Sequence, residues 1–596
     1  MMPEIESTTV RPAAARVERQ WVLGALLPSL LWAMMGAACL AIIHVSALAN
    51  GYYQIFYGRF GWSLPEVAFL LHYLLFGTLA AACIAHALSG AVGERLLAGF
   101  DRVGSLSRGE RAALVGATTV VTWAGITAAR YILLRDSAIT DDESTYVFMA
   151  RVFAAGRLYL ESLPAEVRPF FDNQFIINDG KWYGMYFPGH PLVLAAGVLV
   201  GAERWIPTVV AILSGLMGYL VSRRIFGPRA AVLCAILLPF TTYFVLPSAT
   251  LLSHSTAALA LLTFVYARIR IDETPARVRW WLLAGVCLAW AGLTRPLAPP
   301  AFALPWVIGL ERRLRESGSR RAWAGAALFV ALGIAAVGLL CGYNYVLTGD
   351  PMETPYQRFA LQTQHGLLIG KLPAPWPLPT IYEVGHTILR LNFWQFGWPL
   401  SLAFVPFFRR SALAVRLFAS TCAVPAAYAV IGMTNVYTLG PTHYSEIAIL
   451  VCMLSASGIE EAVRTVRGWR SGERWARFVV AAPIAGIACM LLVFLPVQGA
   501  SIREMSALTR APYDLADEQI VEPAVVLVES LPALSTPPGT WVYYHRSPRP
   551  DLKDRVLFVH YLGPSSLERL RPLFPDRRFY TMSVRGDRLV LERLDS

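Results

Sequence analysis

The sequence predicts an all-α polytopic membrane protein with a small extracytoplasmic α/β domain at its C-terminal end. Three observations lead there. The 596 residues are 56% hydrophobic and only 15% charged, with a mean hydropathy of +0.48, whereas soluble domains carry about 25% charged residues. The charge falls in short islands between apolar runs of roughly 15–26 residues, and about 20 such residues span a bilayer core. From residue 498 onward the pattern changes to short β-rich runs punctuated by Pro and Gly.

In chain order, the apolar runs predict spans at 21–43, 65–90, 112–134, 205–222, 230–247, 249–267, 280–294, 297–310, 322–347, 393–408, 412–432, 445–463 and 476–497, thirteen in all. Two pairs, 230–247/249–267 and 280–294/297–310, are short or closely abutted, so an error there leaves the parity unchanged. Arginine sets the orientation, because short cytoplasmic loops are enriched in basic residues. The N-terminus carries Arg11, Arg16 and Arg19, and alternate loops carry clusters around Arg95, Arg223, Arg277, Arg315, Arg409 and Arg474. This places the N-terminus inside and the C-terminus outside.

The net charge of +12 is almost all arginine, since lysine occurs only at Lys181, Lys371 and Lys553. It reads as basic cytoplasmic loops, not as a nucleic-acid surface. With the Ala and Gly bias, it suggests a GC-rich bacterial genome and hence the bacterial inner membrane. All eight cysteines lie in apolar runs without CxxC spacing and read as small buried residues. Trp21 to Val45 is too long for a signal h-region, so no cleavable leader is expected.

The chain divides into a tail and two extra spans (1–111), a membrane domain (112–497) with external loops 135–204 and 348–392, and the α/β domain (498–596). The last contains strand-like runs "AVVLVES", "TWVYYH", "RVLFVHYL" and "RLVLERL", and a helical stretch at Ser565–Phe574. No repeat of 20–50 residues is visible.

The first external loop opens on three consecutive acids, Asp141, Asp142 and Glu143, in "ITDDESTYVFMARVFAAGRLY". Ser144 is a candidate N-cap and Gly156 a candidate C′ residue. Tyr146, Met149, Ala150 and Phe153 share one helical face, so this stretch is expected to lie in the outer membrane interface. At a helix N-terminus the macrodipole favours the acids. They then either cap and solvate a loop, or do chemistry.

The stretch reads DE-x-x-Y-x-x-x-A-R-x-x-x-x-G through Asp142, Glu143, Tyr146, Ala150, Arg151 and Gly156. Further motifs follow in order: "FFDNQFIINDGKWYGMYFPGHPLVLAAG", "GLTRPLAP", "YNYVLTGDPMETPY", "FGWPLSL" and "GPTHYSE". Together they resemble GT-C fold membrane glycosyltransferases, in particular bacterial proteins with the RgtA/B/C/D-like domain, and also the protein O-mannosyltransferase family. The resemblance covers about 110–460. It implies a polyprenyl-phosphate sugar donor, hexosyl or pentosyl transfer, and an envelope glycan, glycolipid or protein acceptor. It also implies an essential acid in this loop, which the motif places at Asp142 with Glu143 beside it. The sequence departs from the pattern at Thr442, where an arginine is expected, and in "YFPG" where "YPPG" is usual.

Such chemistry needs a carboxylate near the acceptor hydroxyl and cations for the departing phosphate. Arg295 ends a span at the outer interface and is the leading phosphate contact, with snorkelling as the bland alternative. Asp141, Tyr146, Arg151, Lys181, His190, His443, Tyr444 and Glu446 are further candidate substrate contacts, although Lys181 and His190 also read as ordinary loop residues. His254 lies inside a span, where ionisable groups attract functional suspicion, and Glu383 and His386 belong to the second loop. No H-E-x-x-H, P-loop, G-x-S-x-G or dinucleotide fingerprint is present. No cofactor is expected, and a divalent metal is left open. A transporter or flippase of lipid-linked saccharides is the alternative, expected to bring internal repeats and mid-membrane charges. A non-catalytic envelope-assembly protein would need no acidic loop.

Overall fold

The structure is a computed structural model and describes residues 13–49, 64–173, 175–363, 378–430, 439–529, 548–585 and 588–594. The side chains of Glu383 and His386, and the run "TWVYYH", lie outside the described residues.

Inside a bilayer, backbone N–H and C=O groups must satisfy one another, so apolar runs become helices. Twelve of the thirteen predicted runs fall on helical segments. The exception is 393–408. The helix Leu378–Phe396 stops there, and residues 397–404 turn before a 3-10 turn at Val405–Phe407. Ser401 Oγ accepts from the amides of Phe396 (3.3 Å) and Trp398 (3.1 Å), which lets the chain leave the helix with its donors satisfied.

Among the described residues, seven helices are long and apolar enough to cross a membrane, or eight if the pair Pro228–Phe240 and Thr242–Ser248, bent by 57°, is one span. Thirteen crossings exceed what length and composition alone supply. Val278–Thr294 has only 17 residues and Ala298–Val307 only 10. The helix Ala448–Arg467 runs through the middle of the bundle with fifteen of its residues buried. The last membrane helix, Gly472–Cys489, continues through a π segment at Met490–Phe494 into Leu495–Gln519. Position 498 therefore falls inside a continuous helix, not at a break.

The segment that opens on the three acids folds into the helix Asp141–Ala154 and a small antiparallel sheet. Its strands β1 (Leu160–Glu161), β2 (Ile176–Asp179) and β3 (Lys181–Gly184) have the order β1-β3-β2. Beyond the last helix lie β4 (Ala524–Val528), β5 (Val556–His560), the helix Ser566–Leu570, β6 (Arg578–Arg585) and β7 (Arg588–Arg593). They form one sheet of order β5-β4-β6-β7, with β4 parallel to both neighbours and β7 antiparallel to β6.

The loop helix starts earlier than expected. Thr140 is the N-cap, its Oγ1 accepting from the Glu143 amide, so all three acids occupy the first turn. Ser144 is instead buried inside the helix. Gly156 does lie just past the end, with a φ of +73° suited to a C′ residue. The interfacial placement is corrected as well. Tyr146, Met149 and Ala150 are buried on the bundle side, while Phe148 and Val152 are buried against the C-terminal sheet. Phe148, Phe170, Phe171 and Trp182 share a core with Val525, Leu527, Leu557 and Phe579. The loop helix is sandwiched, because it carries two apolar faces rather than one.

Candidate active site

The first-turn acids have different surroundings. Glu143 is 2% exposed. Its Oε1 accepts from the amide of Ile139 (3.0 Å) and its Oε2 from the amide of Leu251 (2.9 Å). It staples the loop helix to the segment before His254–Glu273, with both oxygens engaged. Asp142 keeps partial exposure and accepts a hydrogen bond from the Tyr186 hydroxyl. Asp141 is partly exposed beside it. Burial raises the pKa of all three acids. For Asp142 the Tyr186 hydrogen bond and the charge of Arg295 oppose that rise.

Tyr186 is held from both sides. The Tyr343 hydroxyl donates to its carbonyl (3.0 Å), and its ring stacks on Tyr146 with centroids 4.4 Å apart. Tyr146 lies one turn beyond Asp142 and donates from its hydroxyl to Ser253 Oγ (3.2 Å). Arg295 Nη1 donates to that same Ser253 oxygen (3.3 Å), and its Nη2 to the Tyr428 hydroxyl (2.8 Å) and the His443 carbonyl (2.5 Å). Glu446, whose side chain is fully buried, lies 3.5 Å from Arg295 Nε and 3.6 Å from His254 Nδ1. One continuous set of contacts therefore leads from Asp142 through Tyr186, Tyr146 and Ser253 to Arg295 and Glu446. Tyr356 closes its edge, its ring 5.3 Å from that of Tyr186.

Arg295 does not snorkel. Its backbone N–H caps the helix Val278–Thr294, while its side chain, 14% exposed, is fastened by three polar groups and an ion pair. The "PGHP" run explains part of this precision. A Cβ at Gly189 would lie 2.4 Å from Thr294 Oγ1 and 2.8 Å from the Leu293 carbonyl carbon, so only glycine lets the two backbones approach beside Arg295.

The other sequence candidates either brace this cluster or lie outside it. His190 touches the Tyr146 ring edge-on at 4.9 Å, but its Nδ1 pairs with Thr256 Oγ1 (2.9 Å) and its Nε2 with the Leu251 carbonyl (2.8 Å). With both nitrogens engaged and the ring buried, it braces the 251–256 segment and is not presented as a phosphate ligand. Lys181 donates to the Val346 carbonyl and lies over the Tyr159 ring at 5.0 Å, outside the cluster. Arg151 faces the other side of the loop helix, toward the C-terminal sheet. Tyr444 is buried and packs on Tyr243 and Tyr428, while His443 contributes its carbonyl. Among the described residues, no three His, Cys, Asp or Glu side chains are grouped to hold a metal.

Sequence reasoning missed Tyr186, Ser253 and Tyr428. Tyr186 stands in the quoted "GMYFPGHP" run, where a tyrosine among apolar neighbours two residues before Pro was the available signal.

Residues 193–340 match the family model described as dolichyl-phosphate-mannose-protein mannosyltransferase. That segment includes Ser253, His254 and Arg295 and agrees with the resemblance drawn from the motifs. Among solved structures, the chain is similar to ArnT from Cupriavidus metallidurans bound to undecaprenyl phosphate, at 15% identity over 82% of this chain and 98% of that one, with a TM-score of 0.48. It is also similar to the Archaeoglobus fulgidus oligosaccharyltransferase in complex with Zn and sulfate, at 14% identity over 69% and 60% of the two chains, with a TM-score of 0.41. No curated protein matches the chain.

Proposed function

We propose that the chain is a multi-pass membrane glycosyltransferase that moves a hexosyl or pentosyl unit from a polyprenyl-phosphate donor to a hydroxyl of an extracytoplasmic acceptor. One observation carries this reading. Asp142 is a partly exposed carboxylate, oriented by Tyr186 and within the field of an Arg295 that is itself rigidly fastened. The family match over 193–340, whose description names a dolichyl-phosphate sugar, supports a lipid-phosphate donor.

In the proposed step the acceptor oxygen attacks the anomeric carbon as the bond from that carbon to the phosphate oxygen breaks. The hydroxyl proton passes to Asp142, and the electron pair of the broken bond stays on the departing polyprenyl phosphate. Arg295 stabilises the charge growing there, its guanidinium held in place before the reaction begins. Glu446 orients Arg295 from behind, and Glu143 holds the first turn against the Leu251 amide. Asp141 and Tyr146 flank the acceptor side. The reading places the protein in the bacterial inner membrane, with thirteen crossings, the N-terminus cytoplasmic and residues 498–596 outside. The acceptor is an envelope glycan, a glycolipid or a protein. A saccharide transporter finds no support, since no internal repeat is visible and the buried Arg295–Glu446 pair lies at one end of its helices.

The test is transfer from synthetic polyprenyl-phosphate sugars by the purified protein in lipid nanodiscs. Asp142→Asn should lower turnover at least ~100-fold, the low end for losing a general base. Arg295→Lys keeps the charge but loses the planar fork, so it should be partly active and Arg295→Ala nearly inactive. Correctly folded Asp142→Asn protein with wild-type turnover would remove Asp142 from the chemistry. Comparing envelope glycans of a deletion strain and its parent would identify the acceptor.

A further inference from the structure

Behind the loop helix, on the side away from Asp142, lies a cavity of about 380 Å³. Its walls come from the outer end of the helical segment 108–133, the loop helix, and residues 513–517 and 548–558 of the C-terminal unit. That size falls within the ~300–1,000 Å³ typical of small-ligand sites. Arg130 is its distinctive wall. The residue is 4% exposed, its Nε donates to the Ala249 carbonyl (3.1 Å), and both terminal nitrogens have no hydrogen-bond partner among the described residues. Buried donors left unpaired are costly, and more so when charged. Such a group beside a cavity is suited to a ligand oxygen.

Charge chooses among ligands that offer one. Four arginines and five carboxylates line the cavity. Arg204 pairs with Asp136 at 2.5 Å, and Arg555 with Asp517 at 2.7 Å. A phosphate would meet Arg130 but would also face the surrounding carboxylates. A neutral polyol would not, because its hydroxyls accept from guanidiniums and donate to carboxylates together.

We infer that this cavity is a saccharide subsite that holds a sugar unit of the acceptor, closed on one side by the C-terminal sheet. The assignment to the acceptor rests on the proposed function; saccharide binding itself does not. The sheet then has a task, which is to complete a sugar-binding wall against the back of the catalytic helix.

The experiment is photo-crosslinking of the full-length protein in nanodiscs with diazirine-bearing methyl glycosides, mapped by mass spectrometry. Crosslinks should fall on residues 147–151 and 554–558. They should persist in Asp142→Asn and with polyprenyl phosphate added. They should drop at least about ten-fold in Arg130→Gln, as expected when one hydrogen bond to a charged group is lost. Crosslinks confined to the surroundings of Tyr186, Tyr356 and Tyr428 would overturn the subsite. So would displacement of the glycoside by inorganic phosphate, which would mark an anion site, or the absence of any crosslink. These mapped positions are read in wild-type protein and need no variant to fold. Crosslinking at 554–558 with no sugar transfer by the wild type would instead leave the subsite standing and remove the proposed function.

Discussion

A carboxylate that must take a proton works best when its pKa lies nearer the working pH than that of a free aspartate. Asp142 meets that condition, because burial raises its pKa while Tyr186 and Arg295 limit the rise. The base form is the active one, so activity should fall as pH drops through this raised value. The acid limb of the pH profile should therefore lie above the ordinary aspartate range. Tyr186→Phe removes a hydrogen bond that favours the charged form, so the limb should move to higher pH. A turnover profile across pH checks this, and a limb that stays put or moves down would separate Tyr186 from Asp142. At this scale the sequence displays charge but not its engagement. Asp142, Tyr146, Arg295 and Glu446 were legible as polar groups where a membrane protein has few. Ser253 and Tyr428 were not, because they join the cluster through Arg295, 42 and 133 residues away, and through Tyr146, 107 residues from Ser253. The engagement of Glu143 by the Leu251 amide and of His190 by Thr256 and the Leu251 carbonyl was not legible either, since only the fold brings these partners near.

Elements were legible where one period dominates. Apolar runs announced their helices, and the short strand-like runs at β4, β5 and β7 announced their strands. The loop helix was read with a single apolar face, since Tyr146, Met149, Ala150 and Phe153 satisfy the helical spacing by themselves. Phe148 and Val152, also four residues apart, form the second face, which makes sense only once a sheet from the far end of the chain covers it. The β6 strand escaped because Phe579, Tyr580 and Met582 mix with polar residues without clean alternation. The second face carries its own expectation. Phe148 is fully buried at the centre of the core shared with Leu557 and Phe579, and truncating such a phenylalanine typically costs ~3–5 kcal/mol. Phe148→Ala should loosen the C-terminal sheet, shown by faster limited proteolysis between residues 520 and 560, while the membrane helices stay intact. Unchanged proteolysis would mean that the sheet holds its place without the loop helix.

For the whole molecule, the alternation of arginine clusters becomes a spatial statement. Asp101 pairs with Arg467 at 2.6 Å and Glu94 with Arg477 at 3.1 Å, which joins the first basic loop to the last. Arg229 reaches Glu460 at 3.8 Å, and Arg224 pairs with Glu273 at 2.5 Å. Asp272 is shared by Arg268, Arg313 and Arg416 at 2.5, 2.9 and 3.6 Å. All six basic loops or their flanking turns are thus linked at one end of the bundle, although they are far apart in sequence. The acidic loop and the C-terminal sheet are joined separately, as where His560 Nε2 meets the Asp172 carbonyl at 2.6 Å. The number of crossings was harder to read, because helices of 10 and 17 residues fall below the ~20 that a bilayer core requires. What the ion pairs do give is that each basic end adjoins another basic end. Basic loops stay in the cytoplasm, so that end should be inside and the site outside. Single cysteines at the exposed positions 95, 223, 277, 315 and 474, with the eight native cysteines replaced by alanine, should resist an impermeant thiol reagent in intact cells. A cysteine at exposed position 568 should react. Labelling at 474 with protection at 568 would invert the molecule, and a polyprenyl-phosphate transferase with its acids facing the cytoplasm would need a different donor leaflet and a different acceptor.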